Sequence, residues 1–236
     1  MIGPNSILEI NNSELVVNTD TGSGINMNGE NIRVESNNGA SIKVKSNSGT
    51  GMNFSGNNPI IKFTNSEVEI DTTTGPRINI LGNYSSFYLN NTILEMSSIT
   101  GRGIYLQGTS PQILLDDSQL VMTDTGASQG IILQGTDALL SLSNQSEMAI
   151  IGAGMGTTEN IQIGNNNARP KISVNDGSKL SVRTTSGSSA VSDMGNNAIR
   201  VEGSTALVEV GNASTIDVTI ESGSKRGFLI RDLKIK

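Results

Sequence analysis

A short apolar motif recurs along the whole chain and restricts the possible folds more than any other feature. Two apolar residues are separated by a single residue, and three such pairs occur within residues 113–139. They are Ile113/Leu115, Leu120/Met122 and Ile131/Leu133. Polar, glycine-containing segments separate the pairs. Because alternate residues of a strand point to the same side, each pair predicts a short β-strand with two inward side chains.

The same unit of three pairs repeats from one end of the chain to the other. Its copies begin at Leu8, Ile32, Ile61, Phe87, Ile113, Leu140, Ile172 and Val208. Such short strands bury a core only when successive units stack, which is the principle of a solenoid. Leucine-rich repeats need a helical side and propeller blades need longer repeats, and helical periodicity is missing. The sequence therefore predicts one all-β domain over residues 1–236, a three-sided parallel β-helix of about eight coils.

The corners between the pairs carry a family resemblance. They are rich in Asn, Gly, Ser and Thr, residues that tolerate the sharp turns of a corner, while aromatic residues make up only 3%. With the three-sided repeat, this resembles right-handed parallel β-helices, and more narrowly the pectate-lyase-like adhesive domains of Gram-positive cell-surface proteins. The resemblance covers essentially the whole chain and implies a right-handed parallel β-helix that is extracellular, at the cell surface or attached to the cell wall.

The composition excludes several classes of function. The chain contains no His, which removes the usual general base at neutral pH and the commonest metal ligand. A net charge of -6 argues against nucleic acid and anionic membrane as partners. No apolar run reaches the roughly 18 residues of a membrane span, so we expect no membrane insertion.

Two acidic motifs occur in the chain, Asn18-Thr19-Asp20 and Asp116-Asp117. They are similar to motifs of polygalacturonase-like hydrolases. They lie four coils apart, or about 19 Å at roughly 4.8 Å per coil. Paired carboxylates for glycoside hydrolysis must lie within about 5–10 Å, and the family's His is missing. We interpret both motifs as corner residues and predict that the protein is not an enzyme.

A calcium site is the other chemistry that the resemblance suggests. Glu69 and Glu95 point outward on successive coils, and Lys43 lies one coil earlier. Two carboxylates could contribute to a calcium site, but calcium takes six or more oxygen ligands. We therefore predict a solvated ladder of charges in which Lys43 offsets Glu69, and no cofactor. Calcium at Glu69 and Glu95 is the alternative.

Apolar residues also occur at outward positions half-way along the predicted rod. These are Tyr88, Tyr105, Leu114, Val121 and Ile132. Clustered exposed apolar side chains tend to mark contact surfaces, and tyrosine stacks on sugars. We take the five residues as a candidate ligand-binding patch. The alternative is that long corner segments fold over them.

The corners of coils six and seven are longer than the others, and binding residues often lie on such loops. Their polar residues include Asn165, Asn166, Asn167 and Arg169, which suit sugar hydroxyls. Thr-x-Thr motifs at Thr19, Thr72 and Thr123 occur on alternate coils only, which argues against an ice-binding array.

The last residues resemble the start of another coil. Leu233 and Ile235 have the spacing of a ninth first pair, which predicts that this domain is an excised piece of a longer surface protein. The alternative is that Arg231, Lys234 and Lys236 protect the last sheet edge by charge.

These observations favour a non-catalytic adhesin or stalk module of a bacterial surface protein. A rigid rod would hold its loops and mid-rod patch outward for weak, multivalent contact with a host or environmental glycan or protein. Neighbouring domains of the same chain are expected as further partners. The alternatives are a polysaccharide lyase or hydrolase on a pectate-lyase-like β-helix, and a purely structural spacer.

Overall fold

The computed structural model describes residues 1–126, 128–152, 159–165, 168–184, 197–221 and 226–233, which form 23 β-strands and no helix. In chain order they are β1 (Ile7–Asn11), β2 (Glu14–Thr19), β3 (Ile25–Asn28), β4 (Arg33–Asn37), β5 (Ser41–Ser46), β6 (Met52–Ser55), β7 (Ile60–Thr64), β8 (Glu67–Thr72), β9 (Ile78–Leu81), β10 (Ser86–Asn90), β11 (Ile93–Ser98), β12 (Gly101–Gln107), β13 (Gln112–Asp116), β14 (Gln119–Asp124), β15 (Ser128–Gln134), β16 (Leu139–Ser143), β17 (Glu147–Gly152), β18 (Ile161–Gly164), β19 (Lys171–Val174), β20 (Lys179–Thr184), β21 (Asn197–Val210), β22 (Thr215–Ile220) and β23 (Arg226–Leu233). These described residues contain no helix that could serve as a membrane span.

Through most of the chain, each strand pairs in parallel with the strand three positions later, which confirms the predicted parallel β-solenoid with three strands per coil. The first face runs from β1 through β4, β7, β10, β13, β16 and β19 to the end of β21. The second face is the 8-stranded sheet from β2 to β22. The third face runs from β3 to β18, then the start of β21, then β23. The long strand β21 joins the first and third faces into one 15-stranded sheet.

Apolar side chains stack in columns inside the rod. On the first face Ile61, Phe87 and Ile113 lie opposite one another on successive coils, and each is fully buried. Phe63 packs edge-on against Phe87 with ring centroids 5.9 Å apart. Burying each such side chain contributes roughly 1.5–3 kcal/mol, so the columns are the main source of cohesion between coils.

Coil two departs from the predicted register. Leu8 lies opposite Val34, and Val34 lies opposite Ile61, so the marker at Ile32 is wrong by two residues. Ile32 is buried just before β4, while Ser36 occupies the inward position that apolar residues take elsewhere. The Ser36 hydroxyl is satisfied because it donates to Ser66 Oγ at 2.8 Å. An apolar pattern does not detect a buried serine that has a partner.

The far end of the rod also differs from the prediction. Leu233 pairs with Ala206 rather than opposite Val208, because the register shifts between Glu202 and Ala206. Lys234, Ile235 and Lys236 lie outside the described residues.

Glycines stack directly on one another at the corner that follows the third face. The column consists of Gly3, Gly29, Gly56, Gly82, Gly108 and Gly135. A β-carbon added at Gly82 would overlap the carbonyl oxygen of Gly56, and one added at Gly56 would overlap that of Gly29. The coils can therefore follow one another at strand spacing here only because these residues have no side chain.

Replacing Gly82 with alanine is expected to destabilise the protein by about 1–3 kcal/mol, since the overlap must be relieved by moving one coil away from the next. Urea unfolding followed by circular dichroism measures the change. The control is Gly227→Ala, whose added β-carbon would meet only Val218 Cγ1, at 3.7 Å. Equal losses in the two variants would contradict the close approach at Gly82.

Candidate functional site

The five residues of the predicted mid-rod patch lie on three different faces. Tyr88 and Leu114 are neighbours on the first face, and Tyr105 and Ile132 are neighbours on the third. Val121 lies alone on the second face, between Glu95 and Ala149. Outward side chains of the three faces point in three directions, so these residues do not form one surface.

Both tyrosines among these mid-rod residues already contact a cationic side chain. Lys62 Nζ lies 5.6 Å from the Tyr88 ring centroid, and the Arg102 guanidinium lies 4.6 Å from that of Tyr105. The Tyr88 hydroxyl donates to Asp116 at 3.3 Å. Burial raises the pKa of Tyr88, and the charge of Asp116 raises it further. A sugar that stacked on either ring would have to compete with a cation–π contact.

The five mid-rod residues are also less exposed to solvent than predicted. Ile132 is only 3% exposed although it points away from the interior cluster, so its expected solvent exposure is wrong. Leu114 and Val121 are half-buried. Strand alternation determines which side of a sheet a residue faces, but it does not indicate whether other segments cover that side.

The polar residues of the long corners are only partly described. Asn166 and Asn167 lie outside the described residues, and Asn165 is exposed. Arg169 forms a two-point ion pair with Asp137, with distances of 2.6 Å from Nε to Oδ1 and 2.8 Å from NH2 to Oδ2. The hydrogen bonds and charge of Asp137 raise the pKa of Arg169. Its guanidinium therefore joins the corner of one coil to that of the next.

The predicted partner of Glu69 is wrong. Lys45 Nζ lies 3.6 Å from Glu69 and 3.5 Å from Asp71, whereas Lys43 Nζ lies 3.3 Å from Glu14. Glu69 and then Asp71 raise the pKa of Lys45. Position directly opposite on the sheet does not identify the partner, because a lysine side chain also reaches its diagonal neighbours.

The two calcium candidates, Glu69 and Glu95, do lie opposite one another on β8 and β11. Within the described residues, no group of three or more His, Cys, Asp or Glu side chains is arranged to hold a metal ion. The pair lacks a third acidic ligand there.

The two motifs similar to those of hydrolases lie on different corners of the rod. Asp20 follows β2 of the second face, whereas Asp116 ends β13 of the first face and Asp117 follows it. Asp116 accepts a hydrogen bond from Asn90 Nδ2 at 3.0 Å, and Asp117 has a φ of 47°. Hydrogen bonding and a left-handed backbone conformation are the properties expected of corner residues.

A polar groove runs along the corner between the second and third faces, with a volume of about 650 Å³. It extends over coils one to five. One row of side chains comes from the ends of successive second-face strands, namely Asn18, Lys45, Asp71, Ser97 and Thr123. A second row follows two residues later, namely Asp20, Asn47, Thr73, Ile99 and Thr125. We call this feature the corner groove.

Hydrogen bonds connect the side chains of the corner groove from coil to coil. Asn47 Nδ2 donates to Asp20 Oδ1 at 3.1 Å, and Thr73 Oγ1 donates to Asn47 Oδ1 at 3.4 Å. Ser97 Oγ donates to Asp71 Oδ1 at 2.6 Å. The groove thus presents an ordered ladder of hydroxyl, amide and carboxylate groups parallel to the rod axis.

The sequence shows residues of this groove without revealing the groove itself. The Thr-x-Thr motifs alternate along the rod, but Thr19, Ser46, Thr72 and Ser98 follow one another on coils one to four of the groove. Serine takes the place of threonine on coils two and four. Comparing hydrogen-bonding capacity instead of residue identity would have revealed the continuous array.

An ion pair lies in the interior close to the corner groove, and the sequence did not indicate it. Arg77 and Asp124 side chains are 0% and 2% exposed. Arg77 NH2 lies 3.2 Å from Asp124 Oδ2, and NH1 contacts Oδ1. Arg77 belongs to coil three and Asp124 to coil five. Gly103 on the coil between them leaves room, since a β-carbon there would lie 2.9 Å from Arg77 NH2.

A second buried charge cluster lies on the outward side of the third face. Arg200 NH1 lies 3.2 Å from Glu159 Oε1, and NH2 contacts Glu202 Oε2. The two glutamate side chains are 5% and 8% exposed. Both carboxylates accept hydrogen bonds from one guanidinium. They form a clamp between coils.

Comparison of the chain with protein-family models, with curated protein sequences and with solved structures found no match.

Proposed function

We propose that this chain is a non-catalytic, glycan-binding adhesin or stalk module, and that the corner groove is its binding surface. The continuous polar ladder over five successive coils carries the proposal. The resemblance to pectate-lyase-like adhesive domains supports the further proposals of a right-handed coil and an extracellular, cell-surface location.

The chemistry of the corner groove suits sugar hydroxyls. Side-chain hydroxyls and amides both donate and accept, as sugar hydroxyls do, and each net hydrogen bond is worth only about 0.5–1.5 kcal/mol. An open groove with such groups binds each sugar weakly. Affinity then comes from repeating the contact along the groove and from many modules on one surface.

A groove-filling substitution tests the proposal. Thr123→Arg is expected to weaken glycan binding by about tenfold or more, because the long side chain occupies the groove and displaces one or two hydrogen bonds to the ligand. The fold tolerates this residue, since Lys45 and Arg183 occupy the same row on other coils. Binding to immobilised glycans is measured for the variant and the parent protein.

The matched control is Gln119→Arg, which makes the same type of change on the same strand but at the opposite corner. Lys179 occupies its row on another coil. Leu114→Asp reports on the mid-rod residues of the first face. Loss of binding in either control, with Thr123→Arg unaffected, would contradict the corner groove. Products released from a polyuronide in the presence of calcium would instead favour the lyase or hydrolase.

A further inference from the structure

We infer that the corner groove selects a linear, uncharged polysaccharide that lies parallel to the rod axis, with one sugar per coil. This inference rests on the proposed function, because it names the class of glycan that the same groove would take. Three properties of the groove support it: its repeat distance, its charge and its exposed apolar side chain.

The repeat distance of the groove favours an extended polymer. Its two rows advance by one strand spacing per coil, or roughly 4.8 Å. An extended β-1,4-linked pyranose chain advances by nearly the same length per sugar. Successive sugars of such a chain are rotated by about half a turn, so every second sugar would meet every second coil in the same relative position. A branched or helically wound glycan would lose this register after one or two coils.

The charges of the groove disfavour acidic polysaccharides. Asp20 and Asp71 are acidic, and Lys45 is the one cation among the described lining residues. Lys45 already lies 3.5 Å from Asp71 and 3.6 Å from Glu69. A polyuronide would bring one carboxylate per sugar against two aspartates and would find no uncommitted cation among these residues. Charge repulsion thus opposes the ligand class of the pectate-lyase-like enzymes.

The far half of the groove is neutral and partly apolar. On coils four and five the lining residues include Ser97, Ile99, Thr123 and Thr125. The Ile99 side chain is 54% exposed within this polar setting. Pyranose rings present C–H groups on their faces and hydroxyls at their edges. An exposed aliphatic residue between hydroxyls matches that alternation.

Calorimetry with oligosaccharides of defined length tests the inference. The neutral probes are β-1,4-linked gluco-, xylo-, manno- and N-acetylglucosamine oligomers of two to six sugars, and the acidic probe is the galacturonate hexamer. For the best neutral series we expect affinity to rise roughly two- to tenfold per added sugar and to level off near five. The galacturonate hexamer should bind at least about tenfold more weakly.

A charge-changing variant sharpens the test. Asp20→Lys adds a cation at an exposed position of the groove, so the ratio of the affinity for the galacturonate hexamer to that for the neutral hexamer should rise several-fold. The matched control is Glu9→Lys, which makes the same change of charge at an exposed residue of the first face, outside the groove. An equal gain from Glu9→Lys would show that net charge alone is responsible.

The two proposals fail in distinguishable ways. If the galacturonate hexamer binds best and Thr123→Arg abolishes that binding, the corner groove remains the glycan site but this inference is overturned. Equal affinity for two and six sugars overturns it as well. If none of the neutral or acidic probes binds, or if binding is unaffected by Thr123→Arg, the proposed function and the inference are both overturned.

Discussion

Asp124→Asn is expected to destabilise the protein by about 3–5 kcal/mol, far more than a typical conservative substitution. The amide keeps the size of the carboxylate but removes its charge, which leaves the guanidinium of Arg77 buried without a counter-ion. Arg77 is fully buried, so water cannot replace the lost partner. Urea unfolding followed by circular dichroism measures the loss.

A double substitution separates the cost of breaking the Arg77–Asp124 ion pair from the net contribution of the pair to the free energy of unfolding. Arg77→Gly with Asp124→Ser gives both positions the residues of neighbouring coils, since Gly51 and Gly103 flank Arg77 in its column and Ser98 precedes Asp124. Removing both partners leaves a cavity but no uncompensated buried charge, which is the costlier of the two defects here. We therefore expect the double variant to be markedly more stable than Asp124→Ser alone. A double variant as unstable as that single variant would contradict this account.

The same pair shows where sequence reasoning fails for this fold. The second and third apolar pairs of a unit, such as Leu120/Met122 and Ile131/Leu133, lie opposite apolar pairs of the adjacent coils as predicted, because those columns are almost uninterrupted. Arg77, Asp124 and Ser36 also point inward, yet none of them belongs to an apolar pattern. Each is stabilised by a partner one or two coils away, and a single repeat unit contains no sign of that partner.

The candidate site could be predicted only in part for a related reason. Its residues were visible as polar corner motifs, but a groove exists only once corners from five coils are aligned. Two adjacent residues of the groove, Thr73 and Asn47, are far apart in sequence but joined by a hydrogen bond. For the mid-rod residues the error was the opposite one, since the sequence predicted a binding patch that the structure does not form. Alternation correctly placed Tyr88 and Tyr105 outward, but it did not show that each ring already contacts a cation.

Leu115→Asp is expected to destabilise the protein at least as much as Asp124→Asn, because it combines two losses. Leu115 is 1% exposed and lies between Leu89 and Leu142 in an interior column of the first face. Removing a buried leucine costs about 2–5 kcal/mol, and an unpaired buried charge adds several more. Leu114→Asp changes the adjacent, outward residue, and we expect it to alter stability by no more than about 1 kcal/mol.

Where the rod comes apart in Leu115→Asp is as informative as the size of the effect. Each coil of a solenoid contacts only its neighbours, so a defect in coil five interrupts the single path of stacking between the two ends. Hydrogen exchange should therefore show lost protection first in β13 and in its partners β10 and β16, with the outer coils following at higher urea. Uniform loss of protection would mean that the whole rod unfolds as one unit. Equal destabilisation by Leu114→Asp would contradict the inward position of Leu115, on which the stacking of the first face depends.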